Sequence, residues 1–148
     1  MKVALGSDER TSLTDAVTGA LERRGHEVVL VGPPGGEEIE WAEVGLKVGE
    51  LVSRREAGTA VLFCWTGTGA SIAANKVRGV RAALCSDAAT AAGARKWNDA
   101  NVLVMSLRLS SLPVAEEMLD AWFSTAPDPG ERRNIEMLES GVTSPAVR

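Results

Sequence analysis

The chain has 148 residues, of which 45% are hydrophobic and 24% charged, enough for one domain with a sizeable core. A net charge of -4 leaves no basic footprint for nucleic acid, and no apolar run is long enough to span a bilayer. The opening MKVALGSD lacks a secretory pattern and two cysteines make no disulfide framework, so the expectation is a single cytoplasmic domain over 1–148, with a polar tail over 139–148.

Strands and helices alternate. KVALG at Lys2–Gly6 reads as a short buried strand closed by Ser7 and Asp8. TSLTDAVTGALERRG reads as a helix, with Ser12 and Asp15 as a capping pair, Leu13, Val17 and Leu21 on one face and Gly25 as its stop. His26, the single histidine, falls in the turn before EVVLVG, the second strand. PPGGEE is a loop. From Ile39 to Arg55 apolar residues recur at helical spacing, and Gly58 ends that helix. TAVLFCW, VRAALCS and ANVLVMS are the third to fifth strands. SIAANK opens a helix after the third, and DAATAAGARKW and LPVAEEMLDAWF follow the last two. ERRNIEMLES is a final amphipathic helix.

This alternation, with strands apolar on both faces, predicts an α/β fold: one doubly wound, Rossmann-like, five-stranded parallel sheet with helices on both faces and a C-terminal helix. Ligands of such folds bind beyond the carboxyl ends of the strands. The loops there are Gly6–Thr11, Cys64–Ser71, Ser86–Ala88 and Ser106–Ser111.

One of them joins a thiol to a glycine turn: Cys64-Trp65-Thr66-Gly67-Thr68-Gly69-Ala70-Ser71. Gly67 and Gly69 permit a tight turn and close backbone approach to a ligand. Amides opening the next helix suit a phosphate or an enediolate oxygen. The loop lacks the Lys-Ser/Thr ending of a nucleotide P-loop and follows the third strand rather than the first. Cys64 stands beside it, where a thiolate acts as base or nucleophile. By itself the residue pattern favours the plainer reading, in which Cys64 is a small buried hydrophobe and the glycines an ordinary turn.

CWTGTGASIAANKVRGVRAALCSD, followed by ARKWNDANVLVMSLR, resembles the ribose-5-phosphate isomerase B and galactose-6-phosphate isomerase family, as do KVALGSD and IEWAEVGLKVGELV. The resemblance runs to about Leu138. It implies a metal-free, cofactor-free aldose–ketose isomerase working through an enediolate. Cys64 would be the carbon base, Thr66 would assist proton movement, and the amides of Thr66 to Ser71, Gly67 and Gly69 among them, would hold the enediolate oxygens. Asp8 and Asn98 match residues that bind sugar hydroxyls. A glutamate used by some members is replaced by Ala70. The family assembles as dimers or tetramers with sites shared between subunits, so a homodimer or homotetramer is implied.

Departures from the family pattern bear on the substrate. Glu9-Arg10-Thr11 stands where His-Ala-Gly is usual. The missing histidine typically binds phosphate, Glu9 would repel a dianion, and Arg10 would offset it. Trp97 replaces the histidine credited with ring opening, and an indole N–H cannot shuttle a proton. Trp65 replaces glycine and Trp41 stands where tyrosine is frequent. Pocket-lining indoles would suit the apolar C–H faces of a sugar. Of the anion-binding arginines, Arg108 and Arg133 are matched, Gly130 takes the place of another, and a one-residue shift would bring in Arg132 instead.

The expectation is therefore an isomerase of a sugar or sugar phosphate with specificity moved away from ribose 5-phosphate. A non-catalytic sugar- or metabolite-binding protein on the same scaffold is the alternative. A phosphoacceptor receiver domain would need an aspartate where Cys64 stands.

Overall fold

A computed structural model describes residues 1–141. Five strands, β1 (Lys2–Ser7), β2 (Glu27–Val31), β3 (Thr59–Cys64), β4 (Ala82–Leu84) and β5 (Val102–Ser106), form one sheet in the order β2-β1-β3-β5-β4. Every pairing is parallel. The helices are α1 (Ser12–Arg23), α2 (Trp41–Ser53), α3 (Thr68–Ala74), α4 (Ala88–Asn98), α5 (Leu112–Ser124) and α6 (Arg132–Ser140). None of them is long and apolar enough to cross a membrane.

The central strands β1, β3 and β5 alternate their side chains between two apolar layers, as the two-residue period of a strand requires. Val3, Leu5, Val61, Phe63, Leu103 and Met105 face α1, α4 and α5, with Leu21, Met118 and Trp122 among their partners. Ala4, Ala60, Leu62, Cys64, Val102 and Val104 face α2 and α3. The edge strands are less covered: β2 buries only Val31 fully, and Leu84 of β4 is exposed. Full burial on both faces thus holds for the middle of the sheet alone, because an edge strand has a neighbour on one side only.

Several boundaries differ from those read in the sequence. The N-cap of α1 is Thr11, whose hydroxyl accepts from the Thr14 amide at 3.2 Å while the Thr14 hydroxyl accepts from the Thr11 amide at 2.9 Å. This reciprocal box displaces the expected Ser12–Asp15 pair, because Asp15 is instead engaged by Arg10 at 2.9 Å. The second helix starts at Trp41 rather than Ile39. The third strand ends at Cys64, leaving Trp65 in the turn, and α3 begins at Thr68 rather than Ser71. His26 is not a free surface side chain: its ring stacks on Phe123 with centroids 4.3 Å apart.

Close approach of α2 and α3 sets where the glycine loop can lie. A Cβ on Gly45 would fall 2.7 Å from the Ala70 carbonyl oxygen and 2.7 Å from the Ala73 Cβ. A Cβ on Gly49 would fall 2.9 Å from Val77 Cγ2. Gly45→Ala should therefore push α3 outward and cost about 1–3 kcal/mol, read as a lower urea midpoint. An unchanged midpoint would mean that the two helices have room to separate.

Candidate active site

The register of the sheet builds the site. Ser7 of β1 pairs with Phe63 of β3, so the next residues, Asp8 and Cys64, leave adjacent strands side by side at the carboxyl edge. Neighbouring strands lie about 4.8 Å apart. Asp8 continues the side-chain alternation of Ala4 and Gly6, which puts it on the same sheet face as Cys64. A cleft of about 270 Å³ opens there, lined by Asp8, Trp41, Cys64, Trp65, Thr66, Thr68 and Gly69.

The backbone after Cys64 is held to the end of β5. The Leu107 amide donates to the Cys64 carbonyl at 3.0 Å, and the Trp65 carbonyl accepts from the Arg108 amide at 3.0 Å and the Ser106 hydroxyl at 2.9 Å. Gly67 then reverses the chain at φ +80, packed so tightly that a Cβ would fall 2.5 Å from Leu84 Cδ1. It is the N-cap of α3. The first helical bond runs from the Ser71 amide to the Gly67 carbonyl at 3.1 Å, which leaves the amides of Thr68, Gly69 and Ala70 outside the helical ladder.

The two expected loop glycines thus do different work. Gly67 is buried and makes the turn, while Gly69 lines the cleft beneath Trp41, whose ring would lie 2.6 Å from an added Cβ. Ser71 does not line the cleft, and its amide is committed to the helix. Thr68, which sequence reasoning passed over, does line it, with its hydroxyl 2.8 Å from that of Thr66. The repeated Thr-Gly of TGTG was the available signal.

The aromatic residues divide. Trp41 and Trp65 border the cleft with about half of each side chain exposed. Trp97 does not reach it within one chain. The helix α4 leaves the carboxyl edge after β4 and returns to the amino edge to begin β5, so Trp97 and Asn98 lie at the opposite end of the sheet from Cys64. Trp97 packs against Gly93, where an added Cβ would come within 2.8 Å of the indole.

The arginines divide likewise. The guanidinium of Arg10 is turned to Asp15 and is not part of the cleft lining, which corrects the expectation that it offsets Glu9. Arg108 is exposed, one bonded backbone away from Trp65. Arg133 lies on α6, which is joined to the amino edge through Glu139 and Arg81. Arg132 pairs with Glu136 at 2.8 Å, whereas Arg133 makes no ion pair among the described residues. A larger cavity of about 570 Å³ at that edge is lined by Arg55, Arg81, Arg95, Asp99 and Glu139. Arg81 and Arg95 are taken up there by Asp99 and Glu139.

The two thiols are in different situations. Burial, then the neighbouring Asp87, pushes the Cys85 thiol up to about 11, so it stays protonated at neutral pH. Cys64, which is buried, lines the cleft together with Thr66, Thr68 and Gly69 of the loop. Burial, then the charges of Glu9 and Glu40, holds the Asp8 carboxyl above the usual carboxylate range against an opposing backbone hydrogen bond. Its Oδ1 is buried with no hydrogen-bond partner.

Residues 3–138 match the model of the Ribose/Galactose Isomerase family. Ribose-5-phosphate isomerase B of Escherichia coli (strain K12) is 34% identical over 133 residues, which is 89% of each chain. D-erythrulose-4-phosphate isomerase of Pectobacterium atrosepticum is 32% identical over 124 residues, 82% of each. The solved ribose-5-phosphate isomerase B of Clostridium thermocellum superimposes with a TM-score of 0.88 at 34% identity, covering 95% of this chain and 96% of that one.

The raised Asp8 carboxyl has a consequence for stability. Its neutral form is favoured by the folded state, so the associated stability is present below the unfolded pKa and is lost as pH rises through the folded one. Asp8→Asn should therefore melt at a higher temperature than wild type at neutral pH, with the gap closing near about pH 3. A lower melting temperature at neutral pH would show that the ionised carboxylate is held by a favourable contact instead.

Proposed function

The chain belongs to the ribose/galactose isomerase family of aldose–ketose isomerases, and from that premise we propose how it works and on what. Cys64 removes a proton from the sugar carbon next to the carbonyl, forming an enediolate, and returns it to the neighbouring carbon. The amides left free by the turn at Gly67 stabilise the enediolate oxygen, a preorganised contribution of about 3 kcal/mol per donor. Thr66 and Thr68 supply hydroxyls beside the reacting carbons. The observation that carries this reading is the cleft itself, which gathers a thiol, a carboxyl, two hydroxyls and the glycine loop within one small volume.

Specificity is proposed to have moved away from ribose 5-phosphate. In one chain the entrance of the cleft is acidic: Asp8 feels Glu9 and Glu40, while Arg10 is spent on Asp15. That end suits the uncharged head of a sugar. The indoles of Trp41 and Trp65 offer apolar faces to its C–H surface. Trp97 in place of a proton-shuttling group favours a substrate already in the open-chain form, with or without a phosphate. A binding protein without turnover is the second reading, favoured by the lack of histidine among the cleft-lining residues.

Trp97, Asn98 and Arg133 reach a cleft only if it belongs to another copy, because one chain holds them at the far edge of its sheet. The reading therefore includes a homodimer or homotetramer whose sites combine both edges, with Arg108 and the partner's Arg133 toward any phosphate. A cytoplasmic location is part of the same reading, since two buried unpaired thiols suit a reducing compartment.

Two measurements test this. Proton NMR in deuterated water, with a panel of free and phosphorylated aldoses and ketoses, should show loss of the C1 or C2 proton signal with wild type and none with Cys64→Ala. Exchange limited to unphosphorylated sugars would identify those as the substrate class, and silence across the panel would favour the binding protein. Mixing Cys64→Ala with Asn98→Ala, each inactive alone, should regenerate about a quarter of the intact sites through mixed dimers. No recovery after dissociation and reassociation would mean that each chain works alone.

A further inference from the structure

An aldose–ketose isomerisation moves two protons in each turnover. One passes between adjacent carbons, and the other passes from the hydroxyl of one carbon to the oxygen of the next. This inference rests on the isomerase reading of the cleft, in which Cys64 carries the first and the Thr66 hydroxyl assists proton movement, while no group that holds the second between the two oxygens is named.

The lining residues leave few candidates. An indole N–H is a donor only and cannot take up a proton at neutral pH, which removes Trp41 and Trp65. Thr66 and Thr68 are hydrogen-bonded to one another and can relay a proton but not store one. The chain's one histidine precedes β2 at the amino edge and stacks on Phe123. Asp8 remains, and its position is the favourable one: next to Cys64 across the β1–β3 register, on the same sheet face.

The surroundings of Asp8 make it a carrier rather than a fixed charge. No cation neutralises it among the described residues. Arg10 on its own loop is turned to Asp15. Lys47 of α2 is held by Glu37 and Glu43. Glu9 from its own loop and Glu40 from the start of α2 add negative charge, and Cys64 from β3 is its neighbour. Such a carboxyl is a better base than an exposed aspartate, nearer the basicity that general acid–base catalysis needs.

We propose that Asp8 is a catalytic residue that carries the oxygen-bound proton, taking it from one oxygen of the enediolate and handing it to the other. The steps balance in the aldose-to-ketose direction. The Cys64 thiolate takes the C2 proton, the C2–H electron pair forms the C1=C2 bond, and O1 becomes the oxyanion held by the loop amides. The Asp8 carboxylate removes the O2 proton and delivers it to O1. As the C2=O2 bond forms, the C1=C2 pair takes the proton back from the Cys64 thiol at C1. Both side chains return to their starting states and no other reactant is consumed.

The test uses Asp8→Asn, which keeps the shape of the side chain but cannot carry a proton, with whichever sugar wild type converts. Conversion should fall by about 100- to 10,000-fold, with KM within about threefold of wild type. Deuterium entry at C2 should persist, because Cys64 still forms the enediolate and reverses it, so the ratio of exchange to conversion rises. Asp8→Glu should recover part of the conversion, and a thermal melt checks that both variants are folded. A raised KM with kcat preserved would overturn the proposal in favour of simple hydroxyl binding. So would exchange and conversion falling together. A wild-type enzyme silent on every sugar would instead defeat the isomerase reading beneath it.

Discussion

The parallel pairing of β1 with β3 is the constraint on which the site depends. With Ser7 opposite Phe63, the next residues are Asp8, just past the end of β1, and Cys64, the last residue of β3, and both fall on the α2–α3 face. A shift by one residue would send one of the two side chains to the opposite face, because side-chain direction alternates at every step. The buried alternation of Val3, Leu5, Val61 and Phe63 against α1, α4 and α5 makes that shift costly. The chemistry at the sheet's edge is thus held in place by the apolar core beneath it, which has no part in the reaction.

The second element is the contact of α2 with α3. Small residues on both helices, Gly45 and Gly49 against Ala70, Ala73 and Ala74, bring them close. That closeness delivers Trp41 from the start of α2 onto Gly69 at the start of α3. The cleft wall and the turn at Gly67 are therefore coupled: moving either helix moves both. Gly69 is needed less for its own backbone freedom than for the indole that covers it.

The amino edge of the sheet is organised separately. The guanidinium of Arg81 reaches the backbone carbonyl of Asp99, its carboxylate and Glu139, while Arg95 also holds Asp99. These half-buried pairs join the end of α4, the start of β4 and α6, none of whose residues is fully buried. Trp97, Asn98 and Arg133 ride on these segments. One chain thus carries two unlike edges, a cleft with its thiol and carboxyl at one and exposed aromatic and cationic groups at the other.

Much of this was legible in the sequence. Strand and helix alternation determined the class of fold, since apolar periodicity alone separates a parallel α/β sheet from the alternatives. The run from Cys64 to Ser71 showed thiol, glycines and helix start in one contiguous stretch, but its residue pattern fitted a buried hydrophobe and an ordinary turn as well; only the family resemblance gave it a role. Tertiary structure decided what no contiguous stretch could. It brought Asp8 beside Cys64 through strand register across 56 residues of chain, turned Arg10 away to Asp15, and gave Gly67 and Gly69 separate tasks. It also sent Trp97 and Asn98 to the far edge, because a helix returning between parallel strands must end opposite to where it began. Local pattern records which groups are present; only packing determines which of them meet.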